Sequence, residues 1–363
     1  MFRIAILSLT LLLSGQINAE SEFWQLDQYW HKHPNQKALS KSFADLIRNP
    51  AIPLSTVQEK PILVYFITPS RQLSDYWRRN KIAFSNRLDE LGIKYTIKSH
   101  DIKANSDEDK KLKLLEHALS KHPDFLILTL DMDPNTSSIR HILNTNKTRL
   151  ILQNVTNPLK SLHKNKPLLY VGFDHQTGTK MLAQYFKETF PNATKFAVNN
   201  FKPGYISEVR GKSFITMMER NSRFEMVSHL YTDATQGSAR SNTMNLVDQH
   251  PDLDFIYACA TDIAIGTSKA LQILGRQDIK VNGWGGGSKE LQALAEGVLD
   301  VTVMRMNDDN GVAMAEAVKL VLEQKEDEVP VVYTGDFKLV TSRTKQAEIE
   351  QLIKHAFRYS DRH

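Results

Sequence analysis

Cysteine is nearly absent from this chain: 363 residues contain one, Cys259. A lone cysteine excludes an intrachain disulfide and a zinc–thiolate cluster, and its apolar surroundings mark it as a core thiol. The 12 histidines are scattered without the spacing of a metal pair, so no metal site is expected. There is no Gly-x-Ser-x-Gly elbow, and no serine, base and acid stand out as a triad. No catalytic residue is expected. Long hydrophobic runs are missing too. The apolar run near the start, 4–13, falls far short of the ~20 residues that span a bilayer. With Arg3 before it and Ala19 after it, 1–19 reads as an export signal rather than a membrane anchor.

Charge of one sign is also lacking. Forty-six Lys and Arg against 41 Asp and Glu leave a formal +5, and the basic residues are dispersed. Without a basic stripe interleaved with aromatics, nucleic-acid binding is not indicated. At 41% hydrophobic content, the length suffices for two domain cores.

What the sequence does contain is a repeated alternation. The stretch 20–61, with Phe23, Trp24, Tyr29 and Trp30, reads as a helical arm packed on the outside of a domain. From 62 onward, short apolar strands alternate with longer amphipathic helices. That pattern predicts an α/β chain with parallel sheets covered by helices on both faces. An internal echo points to two similar, doubly wound lobes. His122-Pro123-Asp124 opens one buried strand, and His250-Pro251-Asp252 opens another at the equivalent point of a second series. The expected division is a first lobe of 62–173 plus 284–305 and a second of 174–283 plus 306–363. Three crossings near Asp174, Gly283 and Met306 would form the hinge.

The segment 279–310 organises the candidate site. Two strands each deliver one large side chain to a carboxyl-end loop, first Trp284 and then Arg305. In open α/β sheets that edge is where small ligands bind. An aromatic plane and a fixed cation there suit a compact, oxygen-rich, anionic guest. Gly285, Gly286 and Gly287 would let the backbone approach it closely. The run Gly283–Ser288 has half of a dinucleotide fingerprint, but it comes late in the chain and Trp284 would crowd a pyrophosphate.

Other residues can reach the same edge, each with a plainer alternative. Ser74 is a natural N-cap, and Gln72 stands beside that helix start. Trp77 either faces the site or joins the core stripe of Phe84, Leu88 and Leu91. Asn154, at a strand end, can bond hydroxyls or merely form a turn. Arg210 either faces the cleft or pairs with Glu208 and solvent. Thr261 and Asp262 cap the helix after their strand, and a spare oxygen there could hold a hydroxyl.

A family pattern then emerges. The segment Val171-Gly172-Phe173-Asp174-His175-Gln176-Thr177-Gly178 is similar to the inter-lobe segment of ribose-type periplasmic binding proteins. Six further stretches resemble the autoinducer-2 receptors of the LuxP type within that superfamily. They are Gln72-x-Ser74-Asp75-Tyr76-Trp77, Leu152-Gln153-Asn154, the segment 204–211, Ile256-Tyr257-Ala258-Cys259, Asn282-Gly283-Trp284-Gly285-Gly286-Gly287 and the segment 303–309. The resemblance runs over essentially the whole chain after the signal. It implies a periplasmic receptor and, as ligand, a borated furanosyl diester carrying one negative charge, with no other cofactor. It implies that Arg210 and Arg305 neutralise the borate. Gln72, Ser74, Asn154, Thr261 and Asp262 would hydrogen-bond its oxygens, and Trp77 and Trp284 would supply indole N–H groups and walls. It also implies a partner, the periplasmic domain of a membrane sensor histidine kinase. The alternatives are a sugar-binding subunit of an ABC importer or chemoreceptor system, and an exported sugar enzyme. The last requires paired cleft carboxylates, for which Asp262 alone is an obvious candidate.

Overall fold

The computed structural model describes residues 22–361 except 71, 104–107, 130–135, 146 and 163–164. The expected export signal, 1–19, lies outside the described residues.

Two six-stranded sheets form the molecule. The first is built from β1 (Ile62–Ser70), β2 (Tyr95–Lys103), β3 (Phe125–Leu128), β4 (Arg149–Gln153), β5 (Leu169–Phe173) and β11 (Val332–Gly335). The second is built from β6 (Thr194–Asn200), β7 (Phe224–Tyr231), β8 (Phe255–Ala258), β9 (Lys280–Gly285), β10 (Val301–Arg305) and β12 (Phe337–Thr341). Their orders are β11-β5-β4-β3-β1-β2 and β12-β10-β9-β8-β6-β7. Replacing each strand of the first by its counterpart reproduces the second, so the lobes share one strand order, although β11 runs parallel to β5 and β12 antiparallel to β10. All pairings are parallel except β10 with β12. Strands such as Phe125-Leu126-Ile127-Leu128 are buried on both faces, which is why they read as unbroken apolar runs.

The echo between lobes holds with a shift of two residues. Asp124 accepts the Leu63 N–H at 2.7 Å just before β3, and Asp254 accepts the Lys195 N–H at 2.7 Å just before β8. Asp300 repeats the device before β10, accepting from Val281 N at 2.9 Å. In each case a carboxylate at the strand start satisfies a neighbouring strand's backbone donor, as buried polar groups require. The true counterpart of Asp124 is therefore Asp254, whereas Asp252 pairs with Lys195 on the surface.

The division between lobes departs from the sequence expectation. Trp284 and Arg305 belong to β9 and β10 of the second sheet, so 284–305 lies in the second lobe and not in the first. The chain does not cross at Gly283. It crosses after β5 and again after β10. Helix α11 (Asp308–Leu322) then packs into the first lobe's core through Val312, Val318 and Leu320. Strand β11 also joins the first sheet, and the third crossing falls at Asp336, whose carbonyl accepts from Met306 N at 2.9 Å. The segment 308–335, expected in the second lobe, therefore belongs to the first. Helix α12 (Gln346–Ala356) returns to the second lobe.

The arm forms α1 (Leu26–Lys32) and α2 (Pro34–Arg48). Leu26 and Tyr29 enter one face of the first lobe's core, and Phe43 and Ile47 the other.

Candidate functional site

Loops from both sheets meet at the carboxyl ends of β1, β4, β8, β9 and β10. Between the lobes they enclose a cavity of about 460 Å³, counting the part open to solvent. All nine candidate residues line it. The sequence reading missed Tyr76, Phe201, Ile206 and Ala260, which line it too. Tyr76 was concealed by its place in the helix stripe next to Trp77.

The two arginines come together. Arg210 is 3% exposed and Arg305 5%, which removes the surface reading of Arg210. Arg210 sits in a π-helical turn, Ser207–Lys212, that runs on into an α-helix at Ser213. A Cβ on the adjacent Gly211 would collide with the Asn200 side chain, so only glycine lets this turn press so closely on β6. The Arg210 guanidinium lies 3.7 Å from the centre of the Trp284 ring, and that of Arg305 lies 5.4 Å from it. One indole thus touches both cations.

Trp284 is held at both its ring and its backbone. Its indole N–H donates to Tyr257 Oη at 3.0 Å. Its backbone N–H donates to Glu290, a wholly buried carboxylate that also accepts from Gly286 N at 2.8 Å and Thr302 Oγ1 at 2.6 Å. Glu290 thereby pins the glycine loop. Gly286 has φ +65°, and any Cβ there would strike Met304. This is a reason for glycine apart from the expected approach to a ligand.

Several expected roles change. Asp75, not Ser74, occupies the N-cap position of α3 (Tyr76–Glu90), and Ser74 Oγ reaches Tyr76 N only at 3.5 Å. Ala260, not Thr261, is the N-cap residue of α9 (Thr261–Leu274), leaving Thr261 and Asp262 in its first turn. The Trp77 indole N–H donates to Gln72 Oε1 at 3.0 Å. Both tryptophan N–H groups are therefore satisfied within the protein, so their contribution to the cavity is wall rather than donor.

The lobes touch across the cleft. Asp262 of the second lobe accepts from Leu73 N of the first at 3.0 Å. Asp75 accepts from Ser288 Oγ at 2.8 Å and from Arg79 Nε at 2.6 Å. On the other flank Tyr205 Oη donates to Asn157 Oδ1 at 2.8 Å, and Phe23 of the arm lies against the Tyr205 ring. The structure is a closed form.

Burial raises the Asp262 carboxyl to about 6, with the Leu73 N–H pulling the other way. Burial lowers the Arg305 guanidinium below its ordinary value. His175, wholly buried behind Arg210, is held well below the ordinary imidazole range by burial and then by Arg210 and Arg305. Among the described residues, the charged groups lining the cavity at neutral pH are two guanidiniums and one carboxylate, which leaves one positive charge. Asn154 has φ +62°, and among the described residues its buried Oδ1 has no hydrogen-bond partner. Arg305 Nε is buried without a partner among them as well. These are donors and acceptors that a ligand can satisfy. Among the described residues no group of His, Cys, Asp and Glu could hold a metal ion, and no helix is long and apolar enough to cross a membrane.

Comparison with known proteins bears on the same architecture. The chain is similar to the ribose import binding protein RbsB of Escherichia coli (strain K12), with 24% identity over 181 residues, 50% of this chain and 60% of that protein. The RbsB of Bacillus subtilis (strain 168) is 23% identical over 263 residues, 72% of this chain and 83% of that protein. The chain spans about 60% of the length of the Escherichia coli and Salmonella relatives that it matches. Among solved structures, a solute binding protein from Agrobacterium vitis with bound D-fucose superposes with a TM-score of 0.70 at 18% identity, over 79% of this chain and 98% of that one. A galactofuranose binding protein gives 0.69 at 14% identity, over 82% and 100%. At those identities the likeness establishes the two-lobe fold of solute-binding proteins. The family described as "Periplasmic binding protein domain" matches residues 64–326, and the chain belongs to that family.

Proposed function

We propose that this protein is an extracytoplasmic receptor that closes its lobes on a small, oxygen-rich monoanion. The borated furanosyl diester of autoinducer-2 is the ligand that the loop residues favour. The observation that carries the reading is the convergence of Arg210 and Arg305 on Trp284, both buried, with Arg305 making no ion pair among the described residues. A neutral sugar gives such a pair no counter-charge, whereas a tetrahedral borate ester supplies one negative charge to a cavity with one positive charge in excess. Charge-assisted hydrogen bonds of this kind are about twice as strong as neutral ones. Closure would then bias a partner, for which a membrane sensor kinase is the proposed recipient. Such signalling requires the ligand to bind the closed form more tightly than the open one.

Isothermal titration with autoinducer-2 in borate buffer and in borate-free buffer is the test. Tight binding that collapses without borate supports the reading; equal affinity in both buffers sinks it.

A second reading is favoured by the relatives: the sugar-binding subunit of an importer, since the matched proteins are named for ribose import, one superposed structure holds D-fucose and the other is named for galactofuranose binding. Titration with ribose, D-fucose and galactofuranose separates the two. Under this reading, Arg210→Gln or Arg305→Gln leaves sugar affinity within about tenfold, a ~1.4 kcal/mol change.

A further inference from the structure

The proposed function leaves one buried polar group unused. His175 opens α6 (His175–Thr189) directly after the first crossing and has no exposed surface. Its ring does not line the cavity, yet it touches three residues that do. Arg210 donates from Nε to His175 Nδ1 at 3.4 Å, and its Nη2 lies 3.3 Å from the same nitrogen. On the opposite side of the ring, Nε2 lies 3.3 Å from the carbonyl oxygen of Asn154. The ring also meets Trp284 edge-on at 5.5 Å.

These contacts assign the tautomer. A carbonyl oxygen only accepts, so Nε2 carries the proton and Nδ1 turns its lone pair toward the guanidinium. The opposite tautomer would aim an N–H at Arg210 and leave the Asn154 carbonyl unsatisfied. A second proton would place imidazolium against one guanidinium and near another, and burial adds to that penalty.

The two partners lie in different lobes. Asn154 ends β4 of the first sheet in the left-handed region, which turns its carbonyl to His175 and its side-chain amide to the cavity. Arg210 belongs to the second lobe. It also donates to the Cys259 carbonyl at 2.8 Å, so His175 is one of the fixed acceptors that define where its guanidinium lies.

We propose that His175, as the neutral Nε2–H tautomer, is a positioning residue: it sets the Arg210 guanidinium of one lobe against the Asn154 backbone of the other, and so fixes the geometry of the anion site. As far as ligand affinity reports it, this rests on the anion reading. The tautomer does not.

The test has two arms, both on the full chain. Nitrogen-15 NMR of histidine-labelled protein, with His175 assigned by its loss in His175→Asn, reads the tautomer. The expected spectrum has a lone-pair Nδ1 and a protonated Nε2, unchanged between about pH 8 and about pH 5.5, across the ordinary histidine titration. An Nδ1–H tautomer or a titration in that range overturns the proposal. The second arm measures affinity for autoinducer-2 in borate buffer. His175→Phe keeps a ring but no acceptor and should weaken binding roughly 10–100-fold, the scale of a lost hydrogen bond to a charged group. His175→Asn, which restores an acceptor near Nδ1, should recover most of it. In an Arg210→Met background the same His175→Phe change should cost no more than about threefold, because nothing remains to be positioned. Equal losses in both backgrounds overturn the positioning role. If Arg210→Met alone leaves affinity unchanged, the anion reading fails, and the nitrogen spectrum decides the role of His175.

Discussion

Arg210 and Arg305 bring the same charge to the same indole, but the protein holds them in opposite ways. Arg210 is anchored by hydrogen bonds to the Cys259 carbonyl and to His175, with its plane over Trp284. Arg305 is held by ring faces: Tyr76 at 4.7 Å, Trp284 at 5.4 Å and Phe173 at 5.6 Å. Its side chain makes no hydrogen bond or ion pair among the described residues, and its Nε is buried unsatisfied. A buried cation without a counter-charge is costly to the fold, while aromatic faces recover only ~0.5–2 kcal/mol of that cost. One arginine is therefore a structural member that also faces the cleft. In the proposed function the other is kept for the guest.

The contrast can be broken most decisively at Arg305. Replacement by Met should cost about 2–5 kcal/mol in affinity for the proposed borated ligand, the usual loss on truncating one side of a buried charge contact. Thermal melts of the ligand-free variant should show no loss of stability, since an uncompensated buried charge has gone. A large drop in Tm would mean that Arg305 has a structural partner after all.

Arg210→Met should behave differently. It leaves the Cys259 carbonyl and His175 Nδ1 without their donor, so the ligand-free protein should lose about 1–3 kcal/mol of stability along with its affinity. Urea denaturation of both variants side by side checks the asymmetry; equal destabilisation would erase it.

Asp262, the one carboxylate lining the cavity among the described residues, sharpens the comparison through pH. Its folded pKa of about 6 lies above the value near 3.9 expected for the unfolded chain. Between those values the native state binds the additional proton, so this group makes stability rise as pH falls from neutral through about 6. Asp262→Asn should be more stable than the parent at pH 7, with a gap that narrows by about pH 5. A gap independent of pH would show that Asp262 does not titrate there. The smallest effect is expected at Trp77→Phe. It removes the bond to Gln72 at the cavity wall and should change affinity by only about 1 kcal/mol by titration.

How much of this was legible beforehand depended on the kind of signal. Unbroken apolar strands such as Phe125–Leu128 and Phe255–Ala258 announced doubly covered parallel sheets, and every candidate side chain came to one cavity because a parallel sheet delivers its loops to one edge. The lobe boundary misled because glycine reads as a hinge. Gly283 to Gly287 are pinned by Glu290, a long-range contact that no local pattern displays. The true third crossing uses two short strands around Asp336 that the sequence reading passed over, one of them a half-exposed edge strand. The cap at Ser74 failed for a similar reason: the neighbouring Asp75 takes the position and is itself fixed from the other lobe by Ser288. His175 was visible only as part of a family segment. Its role depends on Asn154 and Arg210, which lie 21 and 35 residues away.

Arg79 has a practical bearing on how such a receptor can be instrumented. It holds Asp75 and Ser288 at the mouth of the cleft and, with the same guanidinium, Ser360 at 2.9 Å and Asp361 at 2.6 Å. At the other described end, Phe23 and Gln25 rest on Tyr205 and Gln176 of the second lobe. Both described ends are thus tied to residues at the cleft, so in the proposed function a fluorophore or purification handle attached there loads the closure it is meant to report. A tether on an outer helix such as α12 leaves the jaws unencumbered.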